Sequence, residues 1–225
     1  MANVAALKKK AAEFEAKKQL DKAIATYREV LDAYDSGSEA DPEIALYNRV
    51  GDLLSRQGNV AEAVMHYERA VDLYTEGGFF NNAIALCNKV LRTSPGRASV
   101  YYKLGKISAA KGFKAEAKQN FLEYADRMQK AGSMDEAFRA LKEFADLVPD
   151  QDDVRLMLAE QLTKADRKIE ALEQLQAADA LRHVRKAGVR ARGQRDPQRR
   201  QRQRDQERGP EHEKRPGAAH DRRGQ

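Results

Sequence analysis

Residues 47–67 read YNRVGDLLSRQGNVAEAVMHY, and residues 101–121, which lie 54 positions later, read YYKLGKISAAKGFKAEAKQNF. The two segments share two glycines, an alanine and an aromatic residue at the same spacings. The same offset relates further positions on the C-terminal side. The matched pairs are Gly51 with Gly105, Gly58 with Gly112, Ala63 with Ala117, Tyr67 with Phe121, Gly78 with Gly132, Ala83 with Ala137 and Pro95 with Pro149. A fixed period of this kind predicts stacked copies of one structural unit.

The repeating units are predicted to be helical. Apolar residues recur three and four positions apart, as from Val60 to Tyr74. Asn59 and Ser133 each precede a glutamate by three residues, which is the pattern of a helix N-cap with its reciprocal carboxylate. We therefore expect an all-α chain of about ten helices. They lie near residues 3–18, 20–34, 43–57, 60–76, 79–92, 97–111, 114–131, 134–147, 151–164 and 168–180.

These residues resemble the tetratricopeptide repeat (TPR) family. Tyr47-x-x-Val50-Gly51-x-x-Leu54 followed by Ala63-x-x-x-Tyr67 is similar to the family pattern. A second register of the same pattern begins at Tyr101 and ends at Phe121. The resemblance covers roughly residues 3–180. It implies a right-handed helical-hairpin solenoid that binds another protein, with the first helix of each pair lining a concave groove.

The spacing of the small residues departs from the regular two-helix repeat of this family. The step from Ala63 to Ala83 is much shorter than the step from Ala83 to Ala117, and only the longer step equals the regular repeat length. Helices 60–76 and 114–131 should then each serve two neighbours, which gives three helices in each period of the sequence. Glycine inside a helix costs about 1 kcal/mol relative to alanine. Gly51 and Gly105 are accordingly predicted to face Ala63 and Ala117 closely, with Tyr67 and Phe121 filling the space between neighbouring pairs.

The resemblance places candidate partner-binding residues on the first helices. They are Asn48, Asp52, Ser55, Arg56, Tyr102, Lys106, Ala109, Leu156, Glu160 and Lys164. The alternative is that these are ordinary solvated positions. Family members that grip a C-terminal carboxylate of a chaperone pair Lys with Asn one turn apart. Asp52 stands at such a position here and would repel a carboxylate, which argues against that specificity.

No constellation for catalysis is evident, and we expect neither an enzyme nor a bound metal or cofactor. His66 has no cluster of metal ligands around it and no nucleophile at a useful spacing, so a surface position is expected. Cys87 is the only cysteine, and it is expected to be a small buried hydrophobic residue. A single cysteine, no signal-peptide pattern and no long apolar run together predict a cytoplasmic protein.

Charge is unevenly distributed along the chain. Residues 182–225 contain 15 basic and 6 acidic residues, a net charge of +9, whereas residues 1–181 carry −3. After Leu181 there is no Leu, Ile, Phe, Tyr, Met, Ser, Thr or Asn. We therefore divide the chain into a TPR-like domain, residues 3–180, and an Arg/Gln-rich tail, residues 181–225, expected to be disordered. The tail could be a nucleic-acid-binding or acidic-partner-binding arm, a passive extension, or the product of a shifted reading frame in a GC-rich gene.

The function that the sequence favours is a protein–protein interaction scaffold or adaptor. The runner-up is a nucleic-acid-associated protein that uses the basic tail, since basic side chains contact phosphates. A third alternative is a chaperone or regulatory subunit of a larger assembly. No membrane association is expected, and the oligomeric state stays open.

Overall fold

The computed structural model describes residues 4–37 and 43–194, with side chains described up to residue 189. Within these residues there are ten α-helices and no strand. The helices are α1 Val4–Ala16, α2 Leu20–Asp35, α3 Ile44–Arg56, α4 Val60–Glu76, α5 Phe80–Thr93, α6 Ala98–Ala110, α7 Lys114–Lys130, α8 Met134–Leu147, α9 Asp152–Lys164 and α10 Lys168–Gln194. The all-α solenoid predicted from the sequence is therefore confirmed.

One helix end differs from the prediction. α10 continues to Gln194 rather than ending near residue 180. Arg, Lys, Ala and Gln are good helix formers, so the change in composition after Leu181 removes apolar residues without removing helix propensity. Described residues up to Leu175 form one compact unit, and those from Gln176 onward belong to a second. The disorder predicted for the tail falls mainly on residues 195–225, which lie outside the described part of the chain.

Helix packing follows the three-helix arrangement. α4 packs extensively on both α3 and α5, and α7 does so on both α6 and α8. The contacts between α5 and α6, where one unit meets the next, are much less extensive. α9 and α10 follow at the same sequence offset and occupy the places of the first two helices of a third unit. The stacking of units buries apolar surface that no single helix pair could bury alone.

The interior glycines accommodate aromatic rings. A Cβ atom at Gly51 would lie 2.5 Å from a ring carbon of Tyr67, and one at Gly105 would lie 2.7 Å from a ring carbon of Phe121. The prediction that these glycines face alanines across the helix pair was therefore wrong. A flat ring against bare backbone fills the interface between two close helices without a cavity.

Turn glycines precede α4 and α7, and a side-chain cap is present at the start of α4. Gly58 and Gly112 adopt φ angles of 83° and 78°, which only glycine reaches without strain. The Asn59 side chain accepts a hydrogen bond from the backbone N–H of Glu62 at 3.4 Å, so it caps α4 as predicted. Ser133 makes no such bond. Ser133 does occupy the N-cap position of α8, as predicted, but the reciprocal carboxylate of Glu136 is bound instead by Arg139 and by the Tyr124 hydroxyl.

Candidate functional site

Side chains of opposite charge connect helices that lie two apart in the chain. Arg49 Nε on α3 lies 2.8 Å from a carboxylate oxygen of Glu15 on α1. Arg69 on α4 lies 3.2 Å from Asp35 at the end of α2. Further pairs of this kind are Arg28 with Glu62, Asp52 with Lys89, Asp72 with Lys103 and Lys118 with Asp153. Exposed pairs contribute at most about 1 kcal/mol each, and they also fix which polar groups remain available on each helix face.

A polar pocket lies over α3 and α5, and we call it the asparagine pocket. Its volume is about 410 Å³. It is lined by Asn48 of α3, Tyr74 of α4, and Asn81, Asn82, Ala85, Leu86, Lys89 and Arg92 of α5. On α5, residues 82, 85, 89 and 92 recur at intervals of three and four, so they share one face of the helix. The pocket thus combines three side-chain amides and two basic groups with an apolar wall.

Lys89 organises the polar groups of this pocket. Its ammonium donates to Asn48 Oδ1 at 2.8 Å and also to Asp52, and it lies 4.5 Å from the centroid of the Tyr67 ring. The Tyr67 hydroxyl donates to the same carboxylate at 2.7 Å. Burial, followed by this bond to Asp52, raises the pKa of Tyr67. Asp52 is therefore neutralised by Lys89, while Arg92 stands exposed at the rim.

A second pocket lies at the C-terminal end of α4. Its volume is about 200 Å³, and it is lined by Asp72, Thr75, Glu76, Tyr102, Lys103 and Lys106. The Tyr102 hydroxyl donates to Glu143 Oε2 at 2.6 Å, and the Lys106 ammonium lies 3.6 Å from the same carboxylate. Burial and the bond to Glu143 raise the pKa of Tyr102. Tyr74 lines the first pocket, and Thr75, the next residue of α4, lines the second.

The structure brings together only some of the predicted partner-binding residues. Asn48 lines the asparagine pocket, Asp52 lies beneath it, and Tyr102 and Lys106 line the second pocket. Ser55, Arg56 and Ala109 are half-buried or exposed near the C-terminal ends of α3 and α6. Leu156, Glu160 and Lys164 lie on α9 and line neither pocket. Glu160 and Lys164 pair with each other at 2.6 Å.

Sequence reasoning missed the contribution of α5. Asn81, Asn82, Lys89 and Arg92 were not considered, because the regular two-helix repeat directs attention to first helices. A signal was present, since two asparagines in the first turn of a helix are unfavourable for propensity and have no packing role. Lys89 and Arg92 continue the face that begins at Asn82, a pattern visible in the sequence.

The remaining candidates have structural explanations. Cys87 is fully buried, and burial raises the pKa of its thiol to about 12. His66 is half-buried rather than on the surface, and burial followed by the nearby Arg28 lowers its pKa. In the described part of the chain, no group of three or more His, Cys, Asp and Glu residues is arranged to hold a metal ion. None of the described helices is both long and apolar enough to cross a membrane.

Comparison with known proteins supports the repeat assignment. A tetratricopeptide repeat family model matches residues 3–76. No curated protein matches the sequence. Three solved structures illustrate the similarity. A tetratricopeptide repeat protein from Parabacteroides merdae is 20% identical over 79% of both chains, with a TM-score of 0.28. The apo form of RapI is 13% identical over 82% of this chain and 72% of that chain, with a TM-score of 0.34. YrrB, described as a TPR protein with an unusual peptide-binding site, is 15% identical over 72% of this chain and 96% of that chain, with a TM-score of 0.27.

The resemblance to tetratricopeptide repeats that was inferred from the sequence is confirmed over residues 3–76, which the family model matches. A protein-interaction scaffold is the general role that a tetratricopeptide match supports. Residues 3–76 of this helical chain therefore match the tetratricopeptide repeat family.

Proposed function

We propose that this protein is an interaction scaffold that binds an extended segment of a partner protein at the asparagine pocket and at the second pocket at the end of α4. The observation that carries the proposal is the convergence of Asn48, Asn81 and Asn82 with Lys89 and Arg92 in one cavity. Ligand sites commonly combine an apolar wall with a few convergent polar groups.

The chemistry of the pocket suits a peptide backbone. A side-chain amide both donates and accepts hydrogen bonds, as each peptide unit of an extended chain also does. Asn82 is exposed, whereas the carbonyl oxygen of Asn81 is engaged by Lys111 at 2.8 Å. Tyr74 and Leu86 provide an apolar surface for a side chain of the ligand.

Charge favours an acidic partner segment. Lys89 and Asp52 neutralise each other, so Arg92 supplies the uncompensated charge at the rim. An acidic side chain of the partner would pair with Arg92 while its backbone contacts the asparagines. The proposal is one of binding rather than catalysis, needs no cofactor, and keeps the cytoplasm as the location expected from the sequence.

Variants in the pocket test this function. We expect Asn82→Ala together with Arg92→Glu to abolish capture of the partner from an extract of the native host. Lys130→Glu, at an exposed position on the last turn of α7, makes the same change of charge away from the pocket and should capture normally. Equal capture by both variants would contradict the proposed binding surface.

The tail offers a second candidate function because its net charge is +9 over residues 182–225. Binding to nucleic acid through these residues would weaken steeply as salt increases, since counterions are released on binding. Capture that nuclease treatment abolishes, and that Arg92→Glu leaves unchanged, would favour this alternative. Capture that survives nuclease and depends on Arg92 would favour the pocket.

A further inference from the structure

Within the described residues, the third structural unit has counterparts of the first two helices of a unit, α9 and α10. α8 begins at Met134, and one further period of 54 residues leads to residue 188. A third helix equivalent to α5 and α8 would begin near this residue. α10 passes through this point as one continuous helix. Among the described residues, no helix follows α10 to take the place that α5 and α8 take in the first two units.

Burial shows which surface such a third helix covers. Tyr67 on α4 and Phe121 on α7 are fully buried, with Lys89 of α5 over one ring and Phe144 of α8 at 5.5 Å from the other. The counterpart of these rings on α10 is Leu175, which is 45% exposed. Leu172 is 54% exposed, and its counterparts are buried Val64 and Lys118, which pairs with Asp153 of α9. Two leucines one turn apart are thus exposed, and at the position of Leu175 the first two units place their third helix.

A charge pattern accompanies this surface. In the first unit Asp52 of α3 pairs with Lys89 of α5. At the equivalent positions of the second unit the signs are reversed, because Lys106 of α6 lies near Glu143 of α8. In the third unit the residue equivalent to Asp52 and Lys106 is Glu160 of α9. Glu160 is exposed and pairs with Lys164 on the same helix. By analogy with Asp52, an acidic residue here calls for a basic residue on the third helix.

We propose that Leu172, Leu175 and Glu160 form a docking face for an amphipathic helix of a partner protein, which takes the place of the third helix and presents Lys or Arg to Glu160. The sequence of α5 is the template for that helix. It carries a small residue at Ala83, apolar residues at Leu86, Cys87 and Val90, and the basic Lys89. This face lies on α9 and α10 and is separate from the asparagine pocket.

Two other occupants fit the surface poorly. Between residues 195 and 225 the only apolar residues are Ala218 and Ala219, so this segment lacks the side chains that would cover two leucines. A second copy would have to supply α5, which bears the required pattern but is buried in its own core through Ala83, Cys87 and Val90.

Peptides copied from this chain can probe the face. The first peptide has the sequence of residues 79–94 and carries Lys89, and the second has that of residues 133–148 and carries Glu143 at the same position. Fluorescence anisotropy with the full chain should show that the first peptide binds with higher affinity than the second, by up to about fivefold, as expected for one exposed ion pair. Glu160→Lys should reverse this preference without affecting the fold, because Glu160 is exposed.

Variants of the leucines complete the test. Leu175→Asp should abolish binding of the first peptide, and Ile169→Asp should not, because Ile169 is 78% exposed on α10 and its counterparts Ala61 and Ala115 are exposed as well. Arg92→Glu should also leave this binding unchanged, which separates it from the asparagine pocket. The proposal is overturned if neither peptide binds at millimolar concentration, if Leu175→Asp binds normally, or if Glu160→Lys leaves the preference unaltered. A dimer that Leu175→Asp converts to monomer would identify a second copy as the occupant and would also overturn it.

Discussion

At the scale of single residues, Gly105 shows how tightly the repeat is packed. A Cβ atom there would approach a ring carbon of Phe121 to 2.7 Å, and Phe121 is itself fully buried against Phe144. Tyr102 and Phe144 both pack on the ring, so it cannot move away without displacing a neighbour. The steric cost of a side chain should therefore exceed the gain in helix propensity from replacing glycine.

We expect Gly105→Ala to lower the free energy of unfolding by about 1–3 kcal/mol, and Gly105→Leu to lower it further. Urea denaturation followed by circular dichroism measures this change. Gly96→Ala is the control, since no heavy atom lies within 4 Å of the added Cβ. An unaltered midpoint for Gly105→Leu would show that the helices are packed in a different register.

Glu136 gives one residue-level prediction on pH. Hydrogen bonding to Arg139, followed by the bond from the Tyr124 hydroxyl, lowers the pKa of Glu136 from 4.5 to about 2. Because the folded-state pKa lies below the unfolded-state value, the ionised carboxylate stabilises the fold above pH 4.5. This contribution is lost as the pH falls from 4.5 through about 2.

The urea midpoint of the native sequence should accordingly fall between pH 4.5 and 2 by more than that of Glu136→Gln, which has no carboxyl group to titrate. Glu160→Gln is a suitable comparison, because Glu160 is fully exposed and its ion pair is with the equally exposed Lys164. Parallel curves for the native protein and Glu136→Gln would show that Glu136 has no such role.

At the scale of helices, the first two units use opposite charges at the same positions. In the first unit, Asp52 pairs with Lys89 and accepts a hydrogen bond from the Tyr67 hydroxyl. In the second unit, Lys106 lies near Glu143, and the residue equivalent to Tyr67 is Phe121, which has no hydroxyl. The three differences are consistent with one another, because a lysine at position 52 could not accept a hydrogen bond from tyrosine.

Transferring the second pattern into the first unit tests this relation. Asp52→Lys alone should destabilise by about 1–2 kcal/mol, because it opposes Lys89 and leaves the Tyr67 hydroxyl without its acceptor. Adding Lys89→Glu should restore the part of the lost free energy of unfolding that comes from repulsion between the two lysines. Adding Tyr67→Phe should restore most of the part that comes from the hydroxyl without an acceptor. If the changes in unfolding free energy of the single substitutions simply add in the double and triple variants, these residues do not act together.

The helices themselves could be predicted from the sequence because periodicity and turn residues act locally. The three-helix unit followed from the spacing of Ala63, Ala83 and Ala117. The partners of Gly51 and Lys89 could not be predicted, because they depend on which side chains meet across helices distant in the chain. The end of α10 was missed because a loss of apolar residues was taken as a loss of helix. The asparagine pocket was found only in part, because half of it lies on a third helix that the regular repeat lacks.

At the scale of the whole molecule, each unit is stabilised mainly by its neighbours, so the units should differ in local stability. α4 and α7 are covered on both sides by helices of their own units, whereas α10 leaves Leu172 and Leu175 exposed. Amide hydrogen exchange should therefore be faster in α9 and in residues 168–175 than in α4 and α7. Uniform protection across all the helices would indicate that the protein unfolds as a single cooperative unit.

The central claim is that a partner protein binds over the asparagine pocket. The most direct measurement places a photoreactive amino acid at position 82 of the full chain in the native host, with matched probes at Lys130 and at Gln201 in the basic tail, and identifies the cross-linked molecules by mass spectrometry. The account predicts a protein segment cross-linked from position 82 and lost when Arg92→Glu is added. Cross-links to protein only from position 130, or to nucleic acid only from position 201, would contradict it.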